Sequence, residues 1–189
     1  MSYIIFDVET TGLPKNYRLS PKVVDNWPYI VQFSWIIVND YKKTERSFII
    51  KPDGYVIPDE SIRIHQISNE KAIKEGILLK EVLEKFQNDC ENINSLIAHN
   101  LHFDKSVILA SCYRLDYKLS SFINKKLVCT MKSTTDLCKI PGKYGYKYPR
   151  LEELHIFLFG KVPDGVLHDS LVDSRITLKC YEELLRKSI

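Results

Sequence analysis

SYIIFDVETTGLP, residues Ser2 to Pro14, turns from apolar to acidic within a few positions: Tyr3-Ile4-Ile5-Phe6, then Asp7, Val8 and Glu9. An apolar run of this kind reads as a buried strand. Burying an unpaired carboxylate is costly, and two neighbouring carboxylates also repel each other. In a strand, side chains at i and i+2 share a face, so Asp7 and Glu9 converge. The same D-x-E pattern at Asp89-Cys90-Glu91 ends a helical stretch and reads as solvated surface. Convergent carboxylates become stable when a hard divalent cation such as Mg²⁺ or Mn²⁺ neutralises them. The alternative is that they cap backbone N–H groups at the strand end.

Working outward, Thr10-Thr11-Gly12 turns the chain into the loop TTGLPKNYRLSP. Tyr29 to Val38 is a strong strand and Arg46 to Pro52 a weaker one, with NDYKK between them predicting a hairpin and hence an antiparallel start to the sheet. Ser68-Asn69-Glu70 starts a short helix. Leu79, Val82, Leu83 and Phe86 have helical spacing. SLIAHN is a short strand, followed by the helix FDKSVILASCYR; KLVCT is a further strand. Pro149 suits the first turn of PRLEELHIFLFG and Gly160 its end. A long helix over about Asp169 to Arg186 closes the chain. The pattern is a mixed sheet covered by helices, in the α/β or α+β range.

With 189 residues, 44% hydrophobic and 27% charged, the chain is expected to form one domain over 1–189. No apolar run is long enough for a bilayer span, and no signal-peptide pattern follows Met1. An intracellular location (cytoplasmic or nucleoid-associated) is therefore expected, with no membrane partner. Cys90, Cys112, Cys129, Cys138 and Cys180 are scattered and show no C-x-x-C pair, so they read as reduced thiols and not as a zinc site. Net charge is only +3, yet nine Lys/Arg face two acids between Arg114 and Arg150. That stretch suits a polyanionic partner or a solvated lysine-rich surface.

Two further groups of residues decide between capping and metal binding. AHNLHFD places Asp104 just after an apolar strand, and LHDSLVDSR places His168 before the last helix with Asp173 in its first turns. In this order, FDVETTGL, IHQIS, AHNLHFD, KYPRLEEL and HDSLVDS resemble the DnaQ-like exonucleases, the histidine-containing DEDD 3′–5′ exonucleases related to the proofreading subunit of DNA polymerase III. The resemblance spans nearly the whole chain. Two departures are small: a Gly is usual where Gln66 stands, and an Ala where Ser170 stands.

The resemblance implies an α/β, ribonuclease H-like mixed β-sheet flanked by α-helices, and a metal-dependent 3′–5′ exonuclease. It assigns Asp7, Glu9, Asp104 and Asp173 to two Mg²⁺ or Mn²⁺ ions and makes His168 the general base. The chemistry of the residues agrees. Four carboxylates can hold two cations roughly 3.5–4 Å apart for an in-line displacement at phosphorus, and a neutral histidine can take the proton of the attacking water. The substrate is then a single-stranded 3′ end releasing nucleoside monophosphates, with DNA the first choice and RNA trimming the alternative. Thr10, Thr11 and Gly12 offer contacts beside the metals, Leu13 a wedge against the terminal base, and His65 a place near the substrate terminus. Lys143 and Lys147 interleave with Tyr144, Tyr146 and Tyr148, a pattern that holds single strands or else covers the sheet. His99, His102 and His155 read as packing or surface groups. A polymerase or repair complex is a possible partner, and a binding-only adaptor on this fold is the rival of another class.

Overall fold

A computed structural model describes residues 2–40, 42–165 and 167–187. Five strands form one mixed sheet: β1 (Ser2–Thr10), β2 (Ile30–Asn39), β3 (Lys42–Ile49), β4 (Ser95–Ala98) and β5 (Lys126–Cys129), in the order β3-β2-β1-β4-β5. β1, β2 and β3 pair antiparallel, while β4 and β5 join parallel. The helices are α1 (Asp59–His65), α2 (Asn69–Glu75), α3 (Leu79–Asp89), α4 (Leu101–Arg114), the single turns α5 (Thr130–Ser133) and α6 (Thr135–Cys138), then α7 (Leu151–Phe159) and α8 (Ser170–Arg186). A two-stranded hairpin, β6 (Pro141–Gly142) and β7 (Gly145–Tyr146), stands apart from the sheet.

Alternation along β1 builds both sides of the core. Ile4, Phe6 and Val8 pack with Phe33, Trp35, Leu83, Phe86 and Val107, beneath α3 and α4. Tyr3 and Ile5 pack with Ile36, Val38, Ile97 and Leu178, beneath α8. By the same period of two, Asp7 and Glu9 point toward α8. The acids therefore continue a buried row, at the end of the strand where α8 begins.

The hairpin and the antiparallel start of the sheet are as the sequence predicts, except that β3 begins four residues earlier, at Lys42. Three other expectations need correction, and one motif takes a structure that the sequence reading did not give it. Pro149 lies one residue before the N-cap Arg150 and not in the first turn of α7. The helix after β4 begins at Leu101, two residues ahead of Phe103. IHQIS is partly helical, because Ile64 and His65 end α1. Asp89 is no solvated surface acid: the indole N–H of Trp35 donates to its Oδ2 at 2.9 Å, and Arg46 Nε lies 3.4 Å away.

All five cysteines are free, with Cys90, Cys112 and Cys180 buried. Part of the basic stretch is structural. Arg114 donates to the carbonyls of Val24, Trp27 and Pro28 with its guanidinium 4.2 Å from the Tyr29 ring centre. Lys125 Nζ donates to the carbonyls of Cys90 and Ile93. Among the described residues, no helix is long and apolar enough to cross a membrane.

Candidate active site

The C-terminal end of β1 opens into a cleft of about 310 Å³ lined by Asp7, Glu9, Leu13, Tyr17, Asp104, His168 and Asp173, together with His99 and Asn100. All five residues named at the centre of the chemistry thus reach one cleft, from three elements and a loop. β1 supplies Asp7 and Glu9. Asp104 comes from the first turn of α4, is 2% exposed, and accepts a hydrogen bond at Oδ1 from the backbone N–H of Val8 at 3.3 Å. Asp173 comes from the first turn of α8. Glu9, His168 and Asp173 each place one potential ligand atom within 4.8 Å of the others.

The approach to α8 is shaped by residues that sequence reasoning passed over. His168 takes a left-handed backbone conformation, φ 70°, and its N–H donates to Asp173 Oδ2 at 3.2 Å. Asp169 caps the helix, accepting from the N–H groups of Leu171 and Val172 at 2.9 and 3.1 Å. Gln32, directly opposite Glu9 in the β1–β2 register, accepts from Ser170 N–H at 3.0 Å and donates to Asp169 Oδ2 at 3.3 Å. The available signal was a glutamine amid the apolar run YIVQFSW. Ser170 has its own reason to differ from Ala: its hydroxyl lies 2.6 Å from that of Ser34, wholly buried.

Electrostatically the cleft is under load. Burial, reinforced by the charges of Asp104, Asp173 and Glu9, holds the Asp7 carboxyl well above the usual range. Burial and the neighbouring acids push Glu9 up to about 8. Burial pushes Asp104 to about 8 despite the Val8 hydrogen bond. It raises Asp173 to about 6 against the opposing His168 contact. Among the described residues, no Lys or Arg forms an ion pair with any of the four. Asp173 Oδ1 is buried with no hydrogen-bond partner. An all-oxygen donor set that is acidic, unneutralised and partly orphaned fits hard divalent cations.

The other predicted contacts fall around this cleft. Leu13 is 74% exposed at its rim. Gly12 has φ 145°, the region glycine favours, and open space where a Cβ would stand. The hydroxyls of Thr10 and Thr11 shape that turn: Thr10 Oγ1 donates to Gly12 O at 2.7 Å, and Thr11 Oγ1 accepts from Tyr29 N–H at 2.9 Å. His65 lines an adjoining cavity of about 310 Å³, which also touches His168, Asp169, Gln32 and Lys71. Its Nδ1 accepts from Ile67 N–H at 3.1 Å, leaving Nε2 buried and unpartnered. Burial holds its basicity below the usual histidine value. Gln66 caps α1 in the left-handed conformation, φ 59°, which explains why a glycine suits this position.

Of the histidines read as packing groups, His102 meets Tyr17 O and His155 meets Lys161 O, both at 2.9 Å. His99 does more, since it lines the acid cleft and ties Thr130 Oγ1 to Pro149 O, each at 2.9 Å. Burial lowers its pKa to about 4. Lys147 is not free for phosphate, because its Nζ holds both oxygens of Glu153 at 2.6 and 2.7 Å.

Comparison with known proteins bears on the fold and the family. Structurally the chain is similar to E. coli exonuclease I in complex with a dT13 oligonucleotide, with a TM-score of 0.74 and 17% identity over 98% of this chain and 41% of that one. It is also similar to the zinc-bound form of the E. coli exonuclease I–single-stranded DNA complex, with a TM-score of 0.76, 16% identity and coverage of 98% and 40%. The chain spans about two-fifths of the length of these structures, and the likeness shows the ribonuclease H-like fold. A comparison with curated proteins gives no significant match. The sequence model of the exonuclease family (RNase T type) matches residues 4–181, and the chain belongs to that family.

Proposed function

We propose that residues 1–189 act as one exonuclease domain that removes nucleoside monophosphates, in the 3′–5′ direction, from single-stranded DNA, with RNA as the alternative substrate. The carrying observation is the convergence of Asp7, Glu9, Asp104 and Asp173 with His168 on one cleft, with no Lys or Arg ion pair to the acids among the described residues and with Asp173 Oδ1 buried and unbonded. The polarity follows from family membership. Support for DNA comes from the E. coli exonuclease I structures, which hold single-stranded DNA.

In this reading the four carboxylates hold two Mg²⁺ or Mn²⁺ ions. When bound, such a pair supplies Lewis-acid activation of water and neutralises charge on the leaving oxygen. The remaining steps belong to the chain. His168, exposed at the cleft mouth, accepts the proton of the attacking water. Leu13 wedges against the terminal base. Thr10, Thr11 and Gly12 present their turn beside the acids, and the unpartnered N–H of His65 is a donor for the terminal sugar. An intracellular setting, alone or within a polymerase or repair assembly, suits this activity.

The test is a time course with matched 5′-labelled DNA and RNA oligonucleotides in Mg²⁺ and in EDTA. Stepwise shortening of the DNA, faster than of the RNA and abolished by chelation, is expected. RNA cleaved faster would install the alternative substrate. Binding without shortening of either strand would install the adaptor reading.

A further inference from the structure

We propose that the groove leading from His168 and Asp173 to the elbow Tyr148-Pro149-Arg150 binds the nucleotide on the 5′ side of the scissile phosphate. This rests on the exonuclease reading above and assigns the next stretch of the substrate's path. The groove encloses about 370 Å³ and is continuous with the acid cleft, sharing His99, Asn100, Leu151, His168 and Asp173 with it. That volume is in the range of sites for small organic groups. What the elbow adds is an aromatic ring and a cation. Tyr148 is 56% exposed, so its ring is available for base stacking.

Arg150 is the better phosphate ligand of the two nearby cations. Glu153 is already satisfied by Lys147 Nζ at 2.6 and 2.7 Å and by the Arg150 backbone N–H at 2.8 Å. The Arg150 guanidinium meets it only at 3.3 Å, and the Arg150 side chain is 72% exposed. Its charge is thus surplus to the local ion pair, in a planar form suited to a phosphate diester.

The elbow is also held in place. Pro149 O can only accept, so His99 Nε2–H donates to it, and His99 Nδ1 accepts from the Thr130 hydroxyl. His99 lies between β4 and α4, the helix that carries Asp104. One histidine therefore ties the elbow to the segment that leads into the Asp104 helix, and a preorganised site loses less entropy on binding. Beyond the elbow the β6–β7 hairpin presents Tyr144, 91% exposed, with Lys143 Nζ 5.1 Å from its ring centre. From Met131 to Arg150, leaving aside Lys147 with its Glu153 partner, there are four Lys/Arg and one acid. A basic track punctuated by exposed aromatics matches a single-stranded polyanion.

The experiment compares kcat/KM for a (dT) oligonucleotide with that for the methyl ester of thymidine 5′-monophosphate. This diester has one nucleotide and neither a second base nor a second phosphate. In Tyr148→Ala and Arg150→Ala the oligonucleotide-to-ester ratio should fall about tenfold, as expected for losing one stacked base or one phosphate contact. Arg150→Lys should recover part of the loss, and Arg150→Ala should lower the salt slope of oligonucleotide binding by about one. A ratio unchanged in both alanine variants, whether both substrates fall together or neither does, overturns the subsite and leaves the exonuclease standing. A wild-type protein that cleaves neither substrate overturns the exonuclease reading, and the subsite with it.

Discussion

Each carboxylate in the cleft would be a poor choice for a metal-free fold. Asp7 stands on a strand whose preceding α8-facing residues are Tyr3 and Ile5, and it is opposed by Asp104, Asp173, Glu9 and Asp169. Replacing it with alanine should abolish hydrolysis while raising the melting temperature measured without divalent cations, since burial and repulsion are both relieved. Circular dichroism melts of the two proteins in EDTA check this, and a metal-free variant less stable than wild type would contradict it. His168 has a different signature. As general base, its loss in His168→Ala should lower kcat by roughly 10²–10⁴-fold. Its ring is also near enough to Glu9 and Asp173 to share a cation. Calorimetric Mg²⁺ titration separates the roles: a base leaves affinity within a few-fold of wild type, whereas a ligand does not.

At the level of elements, the start of α8 matters most, because Asp173 belongs to its first turn and His168 to its approach. Gln32 ties this helix to β2 beside Glu9, through Ser170 N–H and Asp169 Oδ2. Gln32→Leu keeps the volume but leaves a buried N–H without its acceptor, at a cost of about 1–3 kcal/mol. For a chain of this length each kcal/mol lowers the melting temperature by about 2–4 °C. The expected result is a melting temperature several degrees lower, with a fall in kcat larger than any rise in KM, because the displaced group acts on the reaction and not on the strand. The same region shows what was legible in the sequence. Strands β1, β2 and β4 and helices α3 and α8 follow from apolar runs and helical spacing, and the five cleft residues follow from motifs set on them. Gln32 and Asp169 did not stand out, since their value comes from a cross-strand register and a cap that single-chain spacing does not encode. The short helix α1 was missed for another reason: its seven residues offer Ile62 and Ile64 as apolar positions, too few for a period. For Lys147 the sequence left two readings open, because its partner Glu153 faces it only once α7 has formed.

The molecule as a whole balances a large apolar core beneath α3 and α4 against a charged cleft at the far end of the same sheet. That balance should depend on pH in a definite direction. Glu9 and Asp104 hold their protons to about 8 and Asp173 to about 6 in the folded chain, because burial disfavours their charged forms. In the unfolded chain the same groups ionise near their ordinary values of about 4. Between those limits the folded state binds more protons than the unfolded one, so stability falls as pH rises. Below about pH 4 both states are protonated and these groups contribute no slope; above about pH 8 both are ionised and the loss is complete. This is the reverse of an ordinary salt-bridged carboxylate. A divalent cation replaces the missing protons, so it should stabilise little at pH 5 and most at pH 8. Thermal melts of wild type at pH 5, 6, 7 and 8, with EDTA and with saturating Mg²⁺, should therefore diverge steadily: the EDTA series declines across the range, and the Mg²⁺ series stays level or declines less. Asp7→Ala should flatten the EDTA series, because it removes a carboxyl that burial itself holds well above the usual range and that therefore adds to the slope. Parallel series with and without Mg²⁺ would show that the four carboxylates do not share a cation.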